Sequence, residues 1–249
     1  MIFRMSSEFD EFAENYDAAL NQGLKFTGES RTFFAEGRMR WLARRLAQMD
    51  FRPRAALDFG CGTGGSLSFF FKHLGVSRVV ATDLSAASLD EARREHPGLA
   101  VEFQPLNQFK PPGDLDLAFC NGVFHHIPLA ERPKAAAQMY DALRPGGCLA
   151  FWENNPWNPV TRFMMKRVPF DRDAILVWPR TARGLLRRAG FEVARTDFMF
   201  IFPAMLGSLR VLEPWLVRFP FGGQYLVLAR KPESASAAAS GRTAPNPTQ

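Results

Sequence analysis

Ala55-Ala56-Leu57-Asp58-Phe59-Gly60-Cys61-Gly62-Thr63-Gly64-Gly65-Ser66 is the stretch that decides how this chain folds. The apolar run at 55–57 reads as a buried strand, and the glycines turn it sharply into a helix beginning near Ser66. Such a turn lets a ligand lie against bare backbone at the start of a helix. The next apolar run, Val79-Val80-Ala81, leads to Asp83, placed where a carboxylate can accept both hydroxyls of a ribose. Together the two features describe a site for an adenosine-containing ligand.

The glycines do not choose which ligand. Gly60, Gly62 and Gly65 satisfy the G-x-G-x-x-G pattern of dinucleotide sites. Asp58 is the discriminating residue. A carboxylate at the head of the loop repels a pyrophosphate, and the loop carries no Lys or Arg to neutralise one. S-adenosylmethionine has no phosphate and presents an α-ammonium group, which the same carboxylate attracts. The competing reading of Asp58 is local, a cap on the N–H groups of the turn.

Composition bounds the class. The 249 residues, 47% hydrophobic and 22% charged, suit one main globular domain. No apolar run is long and clean enough to span a bilayer, and Met1-Ile2-Phe3-Arg4-Met5-Ser6 does not open a signal peptide. The three cysteines, Cys61, Cys120 and Cys148, lack metal-ligand spacing and suit structural thiols in a reducing cytoplasm; no metal is expected. The net charge of +6 gathers in runs such as Arg38, Arg40, Arg44 and Arg45, or Arg180, Arg183, Arg187 and Arg188. These read as solvated helix faces, the functional alternative being attraction of an anionic substrate or a membrane surface. No basic stretch has the interleaved aromatics of a nucleic-acid site.

Periodicity gives strands at Ala55–Phe59, Arg78–Asp83, Ala100–Phe103, Leu115–Asn121, Cys148–Glu153, Glu192–Phe200 and Gln224–Arg230. Helices are expected at Ser66–Leu74, Ser85–His96, Leu129–Leu143 and Thr181–Ala189, the third stopped by Pro145-Gly146-Gly147. The class is α/β: a Rossmann-like, seven-stranded, mostly parallel sheet with helices on both faces and an antiparallel last strand. Residues 1–50 are expected to form a helical N-terminal lid and 51–231 the main domain, with an insertion at about 203–221. Residues 232–249, rich in Ser, Ala, Pro and Thr, read as a disordered tail.

The chain resembles the class I S-adenosylmethionine-dependent methyltransferases that act on small molecules. The resemblance rests on Leu57-Asp58-Phe59-Gly60-Cys61-Gly62-Thr63-Gly64 and Asp83, then on Phe119-Cys120-Asn121-Gly122-Val123-Phe124-His125-His126-Ile127. It continues through Leu143-Arg144-Pro145-Gly146-Gly147 and Leu185–Phe191. It implies S-adenosylmethionine as cofactor, with Asp58, Gly60, Cys61, Gly62, Thr63 and Gly64 at its methionine end. By the same resemblance Asp83 holds the ribose, Leu84 packs on adenine, and Asn121 meets the methionine portion through its backbone. The acidic residue that many relatives place after the third strand is missing, and Asn107 stands in that loop as a substitute.

Methyl transfer from a sulfonium needs alignment and exclusion of water, and a base only for acceptors that must lose a proton. His125 and His126 follow the fourth strand, where a base faces the methyl; packing is the alternative role, above all for His126. Tyr16 and Phe26 in the N-terminal segment, with Glu153, Asn154 and Trp157 after the fifth strand, are candidate substrate residues. The aromatic flanks Tyr16 to Arg40 (with Phe33 and Phe34) and Phe198 to Phe221 (with Phe200 and Phe202) are expected to shape the pocket, core packing being the alternative. Asn154-Asn155-Pro156 also reads as simple turn chemistry. The expected activity is methylation of an O, N or C atom of a small aromatic or apolar metabolite, by a cytoplasmic monomer or homodimer. A lipid- or quinone-type acceptor with peripheral membrane contact is the first rival; a nicotinamide-dependent oxidoreductase and a non-catalytic binding module are the others.

Overall fold

The structure, a computed structural model, describes residues 28–167 and 174–233. A helix α1 (Arg31–Ala47) precedes β1 (Ala55–Phe59), the glycine loop and a short helix α2 (Leu67–Phe69) that continues as a π-helical turn, Phe70–Leu74. Then follow β2 (Arg78–Asp83), α3 (Ala86–Glu95), β3 (Val101–Pro105), β4 (Leu115–Asn121) and α4 (Arg132–Ala142). The chain goes on through β5 (Leu143–Asn154), α5 (Pro159–Met165), α6 (Pro179–Arg188) and β6 (Glu192–Met199). A 3-10 segment (Ala204–Leu212) and α7 (Glu213–Leu216) lead to β7 (Gln224–Arg230).

The seven strands form one sheet in the order β3-β2-β1-β4-β5-β7-β6. β7 runs antiparallel to both β5 and β6, and the other pairings are parallel. Strand residues alternate between two core clusters, as period-two side chains on a doubly covered sheet must. Leu57, Ala118, Phe151 and Val227 face one cluster with α4 and α6, while Ala56, Phe119, Trp152 and Leu226 face the other with α1 and α3. The strand order reverses between β1 and β4, so the carboxyl ends of these two strands open the crevice where an open sheet binds its ligand.

Several boundaries differ from the periodicity reading. β5 starts at Leu143 instead of Cys148: Leu115 pairs with Leu143 and Leu117 with Cys148, so Arg144-Pro145-Gly146-Gly147 bulges out of an already established strand. The proline ends the helix as expected, but the backbone is extended before it arrives. α5 and the 204–216 helical stretch were not anticipated, because Pro and Gly punctuate both.

The arginine run on α1 is only partly a solvated face. Arg38 and Arg45 are buried. Arg45 Nε donates to Asp197 Oδ2 at 2.7 Å and Trp41 Nε1 to the same oxygen at 3.0 Å, while Arg195 Nε reaches Asp197 Oδ1 at 3.0 Å. α1 is thereby tied to β6 and contributes Ala35, Met39, Leu42 and Leu46 to the core. Tyr16, Phe26 and most of the expected tail lie outside the described residues.

Candidate active site

A cavity of about 410 Å³ opens at the carboxyl ends of β1 and β4. β1 delivers Asp58 to its wall with 3% exposure. The glycine loop is anchored to β2 by Gly60 and Cys61, whose N–H groups both donate to the Thr82 carbonyl. Asp83 pins the same loop from the side: Oδ2 accepts from Gly62 N at 2.8 Å and Oδ1 from Ser85 N at 2.9 Å. The glycines have separate reasons. Gly60 has φ +75° and a Cβ there would drive into Val123, whereas Gly64, at φ +81°, closes on His96, Leu67 and Ala92. Beside Gly62 the space is open, which is where backbone can be approached by a ligand.

Burial, reinforced by the nearby charge of Asp83 and opposed by Arg38, pushes the pKa of Asp58 up to about 7. Its Oδ2 is buried and accepts no hydrogen bond, and the Oδ1 of Asn121, on the same cavity, is in the same state. Two buried acceptors without a donor signal a missing partner that carries N–H groups. On the other side of the loop, Arg31 Nη2 donates to Thr63 Oγ1 at 2.8 Å and lies against Gly65, whose lack of a side chain makes its room. The loop itself has no cation, but α1 brings one to it. A cation-seeking carboxylate and a guanidinium flanking one glycine turn fit the two ends of an amino acid, so these residues suit the methionine portion of S-adenosylmethionine.

Cys61 is at the same turn, its thiol pushed well above its ordinary range by burial, so its contribution is backbone and packing. Asp83, Leu84 and Asn107 do not line the cavity, and Asn107 is exposed. Asp83 is occupied in shaping the loop.

His125 and His126 both line the cavity, with ring centroids 4.1 Å apart. His125 is buried, and its Nδ1 lies 2.6 Å from Glu153 Oε2. Glu153 Oε1 accepts from the Phe124 N–H at 2.7 Å. Glu153 therefore stands behind His125 and away from the cavity, a role that its expected place among substrate residues did not include. The pair forms because β4 and β5 are parallel neighbours whose ends come into register, Asn121 beside Trp152. That adjacency is the signal in the sequence that could have found it.

Asn154 does line the cavity, and its Oδ1 accepts from Gln224 Nε2 at 3.3 Å. Trp157 instead lines a neighbouring groove, packed against Trp178 and Phe198. The remaining wall comes largely from the two aromatic flanks. Phe34 and Phe200 meet edge to face at 4.9 Å, and Phe202, Met164 and Met165 extend the apolar lining. Phe200 is held at φ +62°, a conformation that L residues avoid, by its packing on Phe34 and on Gly37. Arg38 and Arg210 add positive charge to the wall; Arg38 Nη1 donates to Gln224 Oε1 at 3.0 Å, and Arg210 pairs with Glu29 at 2.6 Å.

The sequence model of a methyltransferase domain matches residues 57–149. Trans-aconitate 2-methyltransferase of Rhodopseudomonas palustris (strain BisB18) is 32% identical over 139 residues, which are 55% of this chain and 54% of that protein. The chain thus spans about half the length of this curated relative. The protein of the same name from Escherichia coli (strain SE11) is 25% identical over 215 residues, 79% of this chain and 83% of its own. Among solved structures, the S-adenosylmethionine-dependent methyltransferase of Mesorhizobium loti aligns over 75% of this chain and 96% of its own, with TM-score 0.55 and 22% identity, a likeness of fold.

Proposed function

We propose, from the premise that this chain is by domain and fold a class I S-adenosylmethionine-dependent methyltransferase, that it methylates a small acceptor with an apolar body from which a proton must be removed. The observation that carries this is the convergence on one cavity of the unsatisfied Asp58 and Asn121 oxygens and of His125, which Glu153 backs from behind. When bound, the cofactor supplies an electrophilic methyl group. The chain supplies the rest. Asp58 and Asn121 accept from the ammonium end, and the glycine turn lets that end approach the backbone. Phe34, Phe200 and Phe202 exclude water and hold the apolar acceptor in line. Glu153, held by the Phe124 N–H, fixes the tautomer of His125 with its proton on Nδ1, so that Nε2 is the basic nitrogen of the ring.

A second reading has an anionic acceptor. Arg38 and Arg210 on the wall favour a carboxylate, and relatives are named for trans-aconitate. A carboxylate is already a nucleophile and needs no base. Both readings are tested by calorimetric titration with S-adenosylmethionine against NAD, followed by an acceptor screen with labelled methyl donor. Binding of NAD and not of S-adenosylmethionine would sink the proposal. Labelling of phenols, enols or acidic carbons, with loss of turnover in His125→Ala, supports the first reading. Labelling of carboxylic acids at an undiminished rate in that variant supports the second.

A further inference from the structure

Away from the cavity, a second groove collects positive charge. Arg180, Arg183 and Arg187 project into it from α6, Arg195 from β6, and Arg218 from the chain after α7. Arg195 is paired with the buried Asp197. Among the described residues the other four make no ion pair, and the Nε of Arg183 is buried without a hydrogen-bond partner. Clustering four unpaired guanidiniums opposes folding through their mutual repulsion, so a local arrangement of this kind points to an external anion.

The chain that continues from the groove is apolar where it is not basic. Trp157 closes the groove and, like its neighbour Trp178, is half exposed. Phe219 and Phe221 stack 5.9 Å apart beside Arg218. Further back along the segment Met205 is 88% exposed, Val211 70% and Trp215 73%. Residues 203–223 contain one acid, Glu213, and it is turned inward, its Oε1 accepting from the N–H groups of Ile201 and Phe202. The exposed side of this segment therefore shows water aromatic and aliphatic side chains and arginine, with no carboxylate.

We propose that this face is a peripheral docking surface for an anionic phospholipid bilayer, with Trp215, Phe219 and Phe221 at headgroup depth and the groove arginines against lipid phosphates. Interfacial aromatics beside basic residues are the combination that a charged membrane surface rewards. Two other occupants fit less well. A second copy of this chain, packed across a two-fold axis, would set the same uncompensated arginines against one another. Nucleic acid would use the charge and stack on the aromatics, but leaves Met205 and Val211 in water. Among the described residues no helix is long and apolar enough to cross a membrane, so the contact lies on the surface.

The test is co-sedimentation of the full chain with vesicles of phosphatidylcholine alone and of phosphatidylcholine mixed with phosphatidylglycerol. Binding is expected to the mixed vesicles and to fall with added salt. Replacing Arg180, Arg183 and Arg218 together by Gln should weaken it about a hundredfold, at about fivefold for each arginine. Among the described residues these side chains make no ion pair, so the variant's melting temperature should equal or exceed the parent's. Trp215→Ala should weaken binding without changing its salt dependence, and brominated lipid should quench less fluorescence in Trp215→Phe than in the parent. Failure to bind the mixed vesicles, or equal binding to both kinds with no effect of the arginines, overturns the proposal. So does retention of an RNA oligonucleotide, or dimerisation in sedimentation equilibrium, that the same substitutions abolish while vesicle binding is absent.

Discussion

Ionisation of Asp58 is opposed in the ligand-free protein by burial and by Asp83, with Arg38 only a partial offset, so its pKa stands near 7 rather than 3.8. The fold favours the neutral acid. That contribution to stability is complete below 3.8 and is lost as the pH rises through about 7. Asp58→Asn removes the dependence, and the ligand-free variant should melt about 3–6 °C above the parent at pH 8. An equal or lower melting temperature there would contradict the burial account. Ligand binding should respond in the opposite sense. An ammonium group needs the ionised carboxylate, so parental affinity for S-adenosylmethionine should climb with pH through about 7. In the Asn variant calorimetry should find it flat and about ten- to a hundredfold weaker. His125→Ala should lower kcat about a hundredfold or more while leaving donor affinity intact. Glu153→Gln should also lower kcat, since the carboxylate that orients the imidazole is lost, with KM for the acceptor little changed. Full turnover in both variants would return the pair to a packing role.

At the scale of elements, α1 is joined to the sheet by one buried carboxylate. Removing Asp197 strands the buried Arg45 and leaves the Trp41 indole N–H without its acceptor. Asp197→Ala should therefore cost about 3–5 kcal/mol, read from denaturant unfolding; a loss below about 1 kcal/mol, the range of exposed pairs, would show that α1 is held by its apolar face alone. This junction also marks where sequence reading stops. β1, β2, β4 and β7 were legible because each is a largely apolar run bounded by a turn signal, as at Val79-Val80-Ala81 before Asp83. The ion cluster joins positions 41, 45, 195 and 197, and no local pattern announces a contact between residues so far apart. Arg38 and Arg45 looked like the rest of a basic helix face because periodicity reports polarity, not what stands opposite.

For the whole molecule, the seven-stranded sheet is sealed by a cluster on each face, and its central strands are buried throughout. The 3-10 segment at Ala204–Leu212 contains no buried residue. Amide exchange should accordingly be slowest in β1, β4, β5 and β7 and faster by orders of magnitude over 204–212. Protection of that segment comparable with the strands in the free protein would mean a covering absent from this architecture. The glycine-turn side of the cavity was legible because Asp58, Gly60, Cys61 and Gly62 belong to one continuous turn. The opposite side was only partly so, since its wall draws on α1, α5, the end of β6 and the start of β7. His125 and Asn154 were found because they follow strands that end at the crevice. Gln224 was missed because only the assembled sheet brings it to the cavity, whereas Phe34 and Phe200 stand in the aromatic flanks already expected to shape the pocket.

In the proposed reading, Asp58 and Asn121 grip a part of the donor that methyl transfer leaves untouched. S-adenosylhomocysteine keeps the same ammonium group and the same ribose. A site that recognises its ligand at this end has little means to tell a spent molecule from a fresh one. By-product inhibition constants should thus lie within about tenfold of the donor's own dissociation constant, a gap of only about 1.4 kcal/mol; far weaker inhibition would place recognition at the sulfonium instead. Output would then follow the ratio of donor to by-product around the protein, making the rate at which other enzymes clear S-adenosylhomocysteine a control on this one.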